Sequence, residues 1–191
     1  MTRELIDWGL EASGWRLSMS LLDWLTRRAK APEGISGTET VRRIVGELNR
    51  LDPDRARHVA AFAYVLSRVA NADLHISEVE TKKIVEVVQK LGGLPEEQAM
   101  LVAEIANSQN RLFGGTENYL VTREFREIAT DEERRQLLDC LFAVSAADEA
   151  ITGEEEGQIR QIASELGFTH REYIDARLAY SDKRTVLRHE H

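Results

Sequence analysis

The chain has 191 residues, 42% hydrophobic and 30% charged, with a formal net charge of -8 and an isoelectric point near 5.2. A domain of that length buries about 70% of the surface its unfolded form exposes, so it needs no disulfide or metal to hold it together. The acidic balance opposes nonspecific nucleic-acid binding, which calls for a basic surface. The single cysteine, Cys140, excludes an intramolecular disulfide and any multi-thiolate zinc or iron–sulfur site, and points to a reducing, cytoplasmic compartment.

The first element is a helix over about residues 3–29. Leu5, Trp8, Ala12, Trp15, Met19 and Leu22 recur at spacings of three and four along one face, while Leu10, Leu17, Leu21 and Trp24 gather on the opposite one. Such a helix has two apolar seams, one for the body and one for a partner, a second copy or a membrane surface, unless Ser13-Gly14 breaks it into two. Asp7, Glu11, Arg16 and Asp23 interrupt it, so it neither spans a bilayer nor forms a signal-peptide core. Its tryptophans, Trp8, Trp15 and Trp24, are the candidate interaction residues. Ala29 to Gly37, with Pro32 and Gly34, reads as a linker.

The remaining helices run about 38–50, 53–71, 78–91, 95–109, 117–129, 131–146, 153–166 and 170–180. Their starts are marked by a Ser or Thr with a Glu three residues later, a pairing that satisfies two free amides. The pairs are Ser36 with Glu39, Ser77 with Glu80, Thr130 with Glu133, Thr152 with Glu155 and Thr169 with Glu172. Pro53 and Pro95 mark two more starts, because a first-turn proline costs no hydrogen bond. Val59, Phe62, Ala63, Leu66 and Val69, together with Leu137, Leu138, Leu141, Phe142 and Val144, predict the two central core helices. Gly92-Gly93 and Gly167 stand where left-handed residues end helices. His58 is expected on a helix surface and Cys140 inside the core.

A pattern repeats 75 residues apart. Ala72, Asp73, Ile76, Ser77 and Glu80 correspond to Ala147, Asp148, Ile151, Thr152 and Glu155, and the offset extends to Leu91 and Leu166, and Gly92 and Gly167. It predicts an all-α, single-domain bundle with an internal pseudo-twofold duplication of a helix-loop-helix unit. The N-terminal helix and linker would occupy 1–37 and the bundle 38–181, with repeats over about 55–110 and 117–181, leaving 182–191 as a polar tail.

Asp73, Glu80, Asp148 and Glu155 offer the hard oxygen ligands that divalent cations prefer, so they are the candidate metal set. Against an EF-hand the loops fail: Val69 and Val144 fall on its first ligand position, and Leu74 and Glu149 on its glycine. Capping boxes with Ser77 and Thr152 account for both glutamates, and an Asp in a short loop readily accepts backbone amide bonds. His75 has Ala150 as its counterpart, so the repeat does not support it as a ligand. No nucleophile, phosphate-binding glycine loop or resident cofactor is indicated.

The pattern Ala-Asp-x-x-Ile-Ser/Thr-x-x-Glu, carried by those repeated residues, resembles the TerB-like family, named for a tellurite-resistance protein. With Phe125 ahead of Thr130-Asp131-Glu132-Glu133-Arg134, the resemblance extends over about residues 55–180, as in the family's longer two-repeat members. It implies a bacterial, non-enzymatic stress-response scaffold or interaction module, in the cytoplasm or at the inner membrane surface, partnered or self-associated through the N-terminal helix. The alternative is a divalent-cation-binding sensor using the acidic loops. The family commonly has glycine after the aspartate, where this chain has Leu74 and Glu149.

Overall fold

The computed structural model describes residues 38–70, 78–112, 118–147 and 150–183. They form eight helices: α1 (Thr38–Leu48), α2 (Pro53–Ala70), α3 (Glu78–Lys90), α4 (Glu96–Leu112), α5 (Asn118–Ile128), α6 (Asp131–Ala146), α7 (Gly153–Glu165) and α8 (His170–Leu178), with a final 3-10 turn, Ser181–Lys183. The expected N-terminal helix lies outside the described residues. Elsewhere the predicted boundaries are met within a few residues, and the described fold is an all-helical bundle.

The centre of the bundle is α2. Its sequence is apolar on nearly every side, and such a helix is stable only when surrounded. α4, α5, α6 and α7 pack against it, and thirteen of its eighteen residues are buried. α1 packs on α4, α3 lies against α4 and α6, and α8 covers α6 and α7. Phe62 and Phe125 meet edge to face at 5.9 Å, and Phe142 stacks on Tyr180 at 5.4 Å.

Helix ends follow the local chemistry. Thr130, Thr152 and Thr169 each accept the amide of the Glu three residues on, and that Glu accepts the threonine's own amide. α7 closes with Gly167 at φ 90°, Gly167 N–H donating to Ser164 O and Phe168 N–H to Ala163 O, the paired bonds of a left-handed helix stop. α3 and α7 both have thirteen residues and coincide at the 75-residue offset. Their stops differ, because the left-handed residue after α3 is Gly93, φ 64°, and the positional counterpart of Gly167 is Gly92. Gly92 has a different task. A Cβ there would lie 2.6 Å from Val88 O and 3.1 Å from Phe62 Cζ, so its missing side chain lets the end of α3 close onto the core.

Two buried polar clusters cross the core. Arg68, at the end of α2, donates from Nη1 to Glu165 Oε2 at 2.5 Å and to Thr122 Oγ1 at 2.6 Å, joining α2, α5 and α7. Thr122 in turn donates to Asn118 O, and Gln161 Nε2 donates to Glu165 Oε1. The expectation for His58 is overturned. It is buried, 7% exposed, with its ring 5.1 Å from that of Phe125, and its Nε2 lies 3.8 Å from Glu133 Oε1 on α6. α5 and α6 close over the side of α2 that a single-helix reading leaves to solvent.

Burial pushes the His58 pKa down, with Arg55 adding to the effect and Glu133 opposing it. A histidine with a lowered folded pKa contributes stability that is present above its unfolded value of about 6.5 and lost as pH falls through the folded one. Unfolding free energy should therefore decline from pH 7 to pH 5, and His58→Met should flatten that decline in urea melts across the range. Glu165→Leu alone should cost about 3–5 kcal/mol by stranding a buried guanidinium, and Arg68→Met/Glu165→Leu together much less. Gly92→Ala should destabilise by about 1–3 kcal/mol through overpacking, whereas Gly157→Ala, with open space around it, should stabilise by about 0.5–1 kcal/mol. Chemical denaturation measures all five variants.

Candidate functional site

The two repeated loops follow α2 and α6, and each leads into the first turn of the next helix. In the second, Thr152 leaves the extended backbone at φ -73°, ψ 160° and starts α7. Glu155 is turned back onto it: Oε2 accepts the Thr152 amide at 2.8 Å and the Thr152 hydroxyl at 2.7 Å. That oxygen is committed to the cap, as the capping-box reading expects. Glu80 occupies the matching place in the first turn of α3. Asp73, His75, Ser77 and Asp148 lie outside the described residues, as do Trp8, Trp15 and Trp24. No group of three or more His, Cys, Asp or Glu able to hold a metal occurs among the described residues.

What tertiary packing adds at this end of the bundle is Lys83. From the second turn of α3 its Nζ donates to Ala147 O at 3.2 Å, at the C-terminal end of α6. An ammonium suits that position because unpaired carbonyls and the helix dipole make a helix C-terminus negative. The contact brings the start of α3 beside the residue that precedes Asp148. It also puts a positive charge at the C-terminal end of α6, at the residue that precedes the second acidic loop. No sequence signal marks Lys83, since its counterpart at the 75-residue offset is Gln158.

Cys140 is fully buried on α6, its Sγ 3.8 Å from Val87 O. Burial first, and Asp139 second, push the thiol pKa up to about 12, so it stays protonated at neutral pH and is a poor nucleophile. The expectation of a core cysteine holds. Burial is the largest single influence on Glu133 and pushes its pKa up, but the two bonds to Thr130 together with His58 and Arg55 outweigh it and hold the carboxyl below its usual range. These groups serve caps and core pairs.

On the far side of α3 an open groove of about 1300 Å³ runs between α1, α3 and α4. Its floor includes Val85, Leu101 and Met100, the last 57% exposed. No helix among the described residues is long and apolar enough to cross a membrane.

Comparison with known proteins agrees with the helical body. A family model described as tellurite resistance protein TerB matches residues 58–178, from His58 in α2 to Leu178 at the end of α8. No curated protein and no solved structure matches the chain. The match covers more than half of the chain and runs from α2 to α8, leaving out α1, so the protein belongs to the TerB family.

Proposed function

We propose that the chain is a non-catalytic scaffold or interaction module of a tellurite-resistance-associated stress response, engaging its partner through the N-terminal apolar segment. The observation that carries this reading is the position of the family match. It begins at His58 and leaves all three tryptophans, Trp8, Trp15 and Trp24, in a segment ahead of the shared module. Large aromatic side chains outside the shared core favour attachment to something else. The described polar side chains argue the same way: Glu133, Glu155 and Glu172 cap helices, Arg68 and Glu165 pair inside the core, and burial silences the Cys140 thiol.

Two measurements test the reading. In a strain lacking the gene, the wild-type chain should restore tolerance to tellurite and Trp24→Glu should restore little of it. Trp24→Glu should also lose self-association in sedimentation velocity, vesicle flotation or co-purified partners, whichever the wild type displays. A variant indistinguishable from wild type in tolerance and in all three assays would reject an interaction role for this segment.

The cation-sensor alternative, built on Asp73, Glu80, Asp148 and Glu155, must contend with Lys83. If the loops took up calcium or magnesium, Lys83→Met would remove a competing charge and enlarge the melting shift caused by millimolar ion. The interaction reading expects no shift in either protein, measured by differential scanning calorimetry.

A further inference from the structure

We infer that the groove between α1, α3 and α4 is the seat of the chain's own N-terminal segment, the Leu5–Trp8–Trp15–Leu22 seam lying on Val85, Met100 and Leu101. Three helices wall the groove, and each contributes side chains at helical spacing. On α1 these are Arg43, Glu47 and Arg50, spaced four and three apart. A trough built that way accepts a further amphipathic helix, which is how grooves between helices take peptide ligands. Met100 is an unbranched apolar side chain exposed on the floor, and methionine adapts readily to an incoming aromatic surface.

Reach and charge select the occupant. The described chain begins at α1, which is itself a wall of the groove. The nine-residue linker 29–37 spans up to about 30 Å when extended, and α1 is about 16 Å long, so the segment reaches any part of the floor without strain. A tether that short holds its segment at an effective concentration in the millimolar range, which a free peptide rarely matches. Five glutamates and three basic residues line the groove. Two of the basic residues are already engaged, Arg43 with Glu104 and Arg50 with Glu47. Glu96 and Glu97 stand exposed in the first turn of α4, and Arg27, Arg28 and Lys30 close the N-terminal segment. The excess charges are opposite.

The second seam, Leu10, Leu17, Leu21 and Trp24, then faces outward. The inference goes beyond the interaction role and does not depend on it, because the seat belongs to the free chain and is measured without a partner.

All three tryptophans lie in this segment, so tryptophan emission of the full chain reports on it alone. The expected result in Trp24→Phe, which leaves the seated seam's tryptophans, is emission blue-shifted from that of the urea-denatured chain. Met100→Glu in that background should move it to the red and raise acrylamide quenching at least twofold, while Leu178→Glu, an exposed apolar site on α8, should not. A nitroxide on Met100→Cys gives a second readout that leaves the groove's charge unaltered, since the buried Cys140 does not compete for the label. It should quench more than half of the tryptophan emission, and a label on Leu178→Cys should not. Solvent-like emission in the parent, or identical emission and quenching at the two sites, would overturn the seat. So would a blue shift that disappears on dilution as a dimer dissociates, because the occupant would then be a second copy.

Discussion

Everything in this bundle depends on burying α2. A helix with thirteen of eighteen residues out of solvent has no face left for water, and it forms only when four other helices surround it. That requirement sets the order of the fold, with α4, α5, α6 and α7 against α2 and α1, α3 and α8 in an outer shell. It also explains the polar residues that α2 carries inward. His58 and Arg68 are tolerated because α6 brings Glu133 to one, and α5 and α7 bring Thr122 and Glu165 to the other. A buried charge without its partner costs several kcal/mol, so the Arg68–Glu165 pair holds α7 in one register about the central helix, while His58, its pKa pushed down by burial, packs against Phe125.

The same economy runs through the acidic residues. The chain has an excess of carboxylates, and three of those at helix starts are committed to backbone amides: Glu133, Glu155 and Glu172 each close a capping box. A carboxylate bound by an amide and a hydroxyl is poorly placed to chelate a cation at the same time. Lys83 extends the argument across the bundle by taking the C-terminal carbonyl of α6. Its ammonium sits against the carbonyl of the residue that precedes Asp148.

Membership of the TerB family connects this helical body to tellurite resistance, and the interior chemistry is consistent with a structural role. A thiol raised to about 12 neither reduces nor captures an oxyanion readily. On the outside of the bundle, the groove between α1, α3 and α4 leaves Met100 exposed. A seat for the N-terminal segment and a role in partner binding are compatible, since its two seams divide the work.

Local chemistry was fully legible in the residues. The starts of α6, α7 and α8 could be named from Thr130, Thr152 and Thr169 because a capping box closes within four residues and needs nothing beyond them. The apolar spacing of α2 and α6 likewise announced the core, and the 75-residue offset matched α3 to α7 in length and position. The places where reading failed all involve a second helix. His58 looks like a surface residue until α5 and α6 close over it, the close approach of Gly92 to Phe62 is invisible until α2 lies against it even though Gly93 supplies the expected left-handed stop, and Lys83 carries no signal until Ala147 lies within reach. Among the described residues, the sequence by itself determined which segments are helical and, within a few residues, where each begins, since hydrogen bonds between near neighbours decide that. Only the tertiary structure decided which charges are buried, which glycine a side chain would overcrowd and which lysine reaches the end of α6, because those depend on distances between residues far apart in the chain.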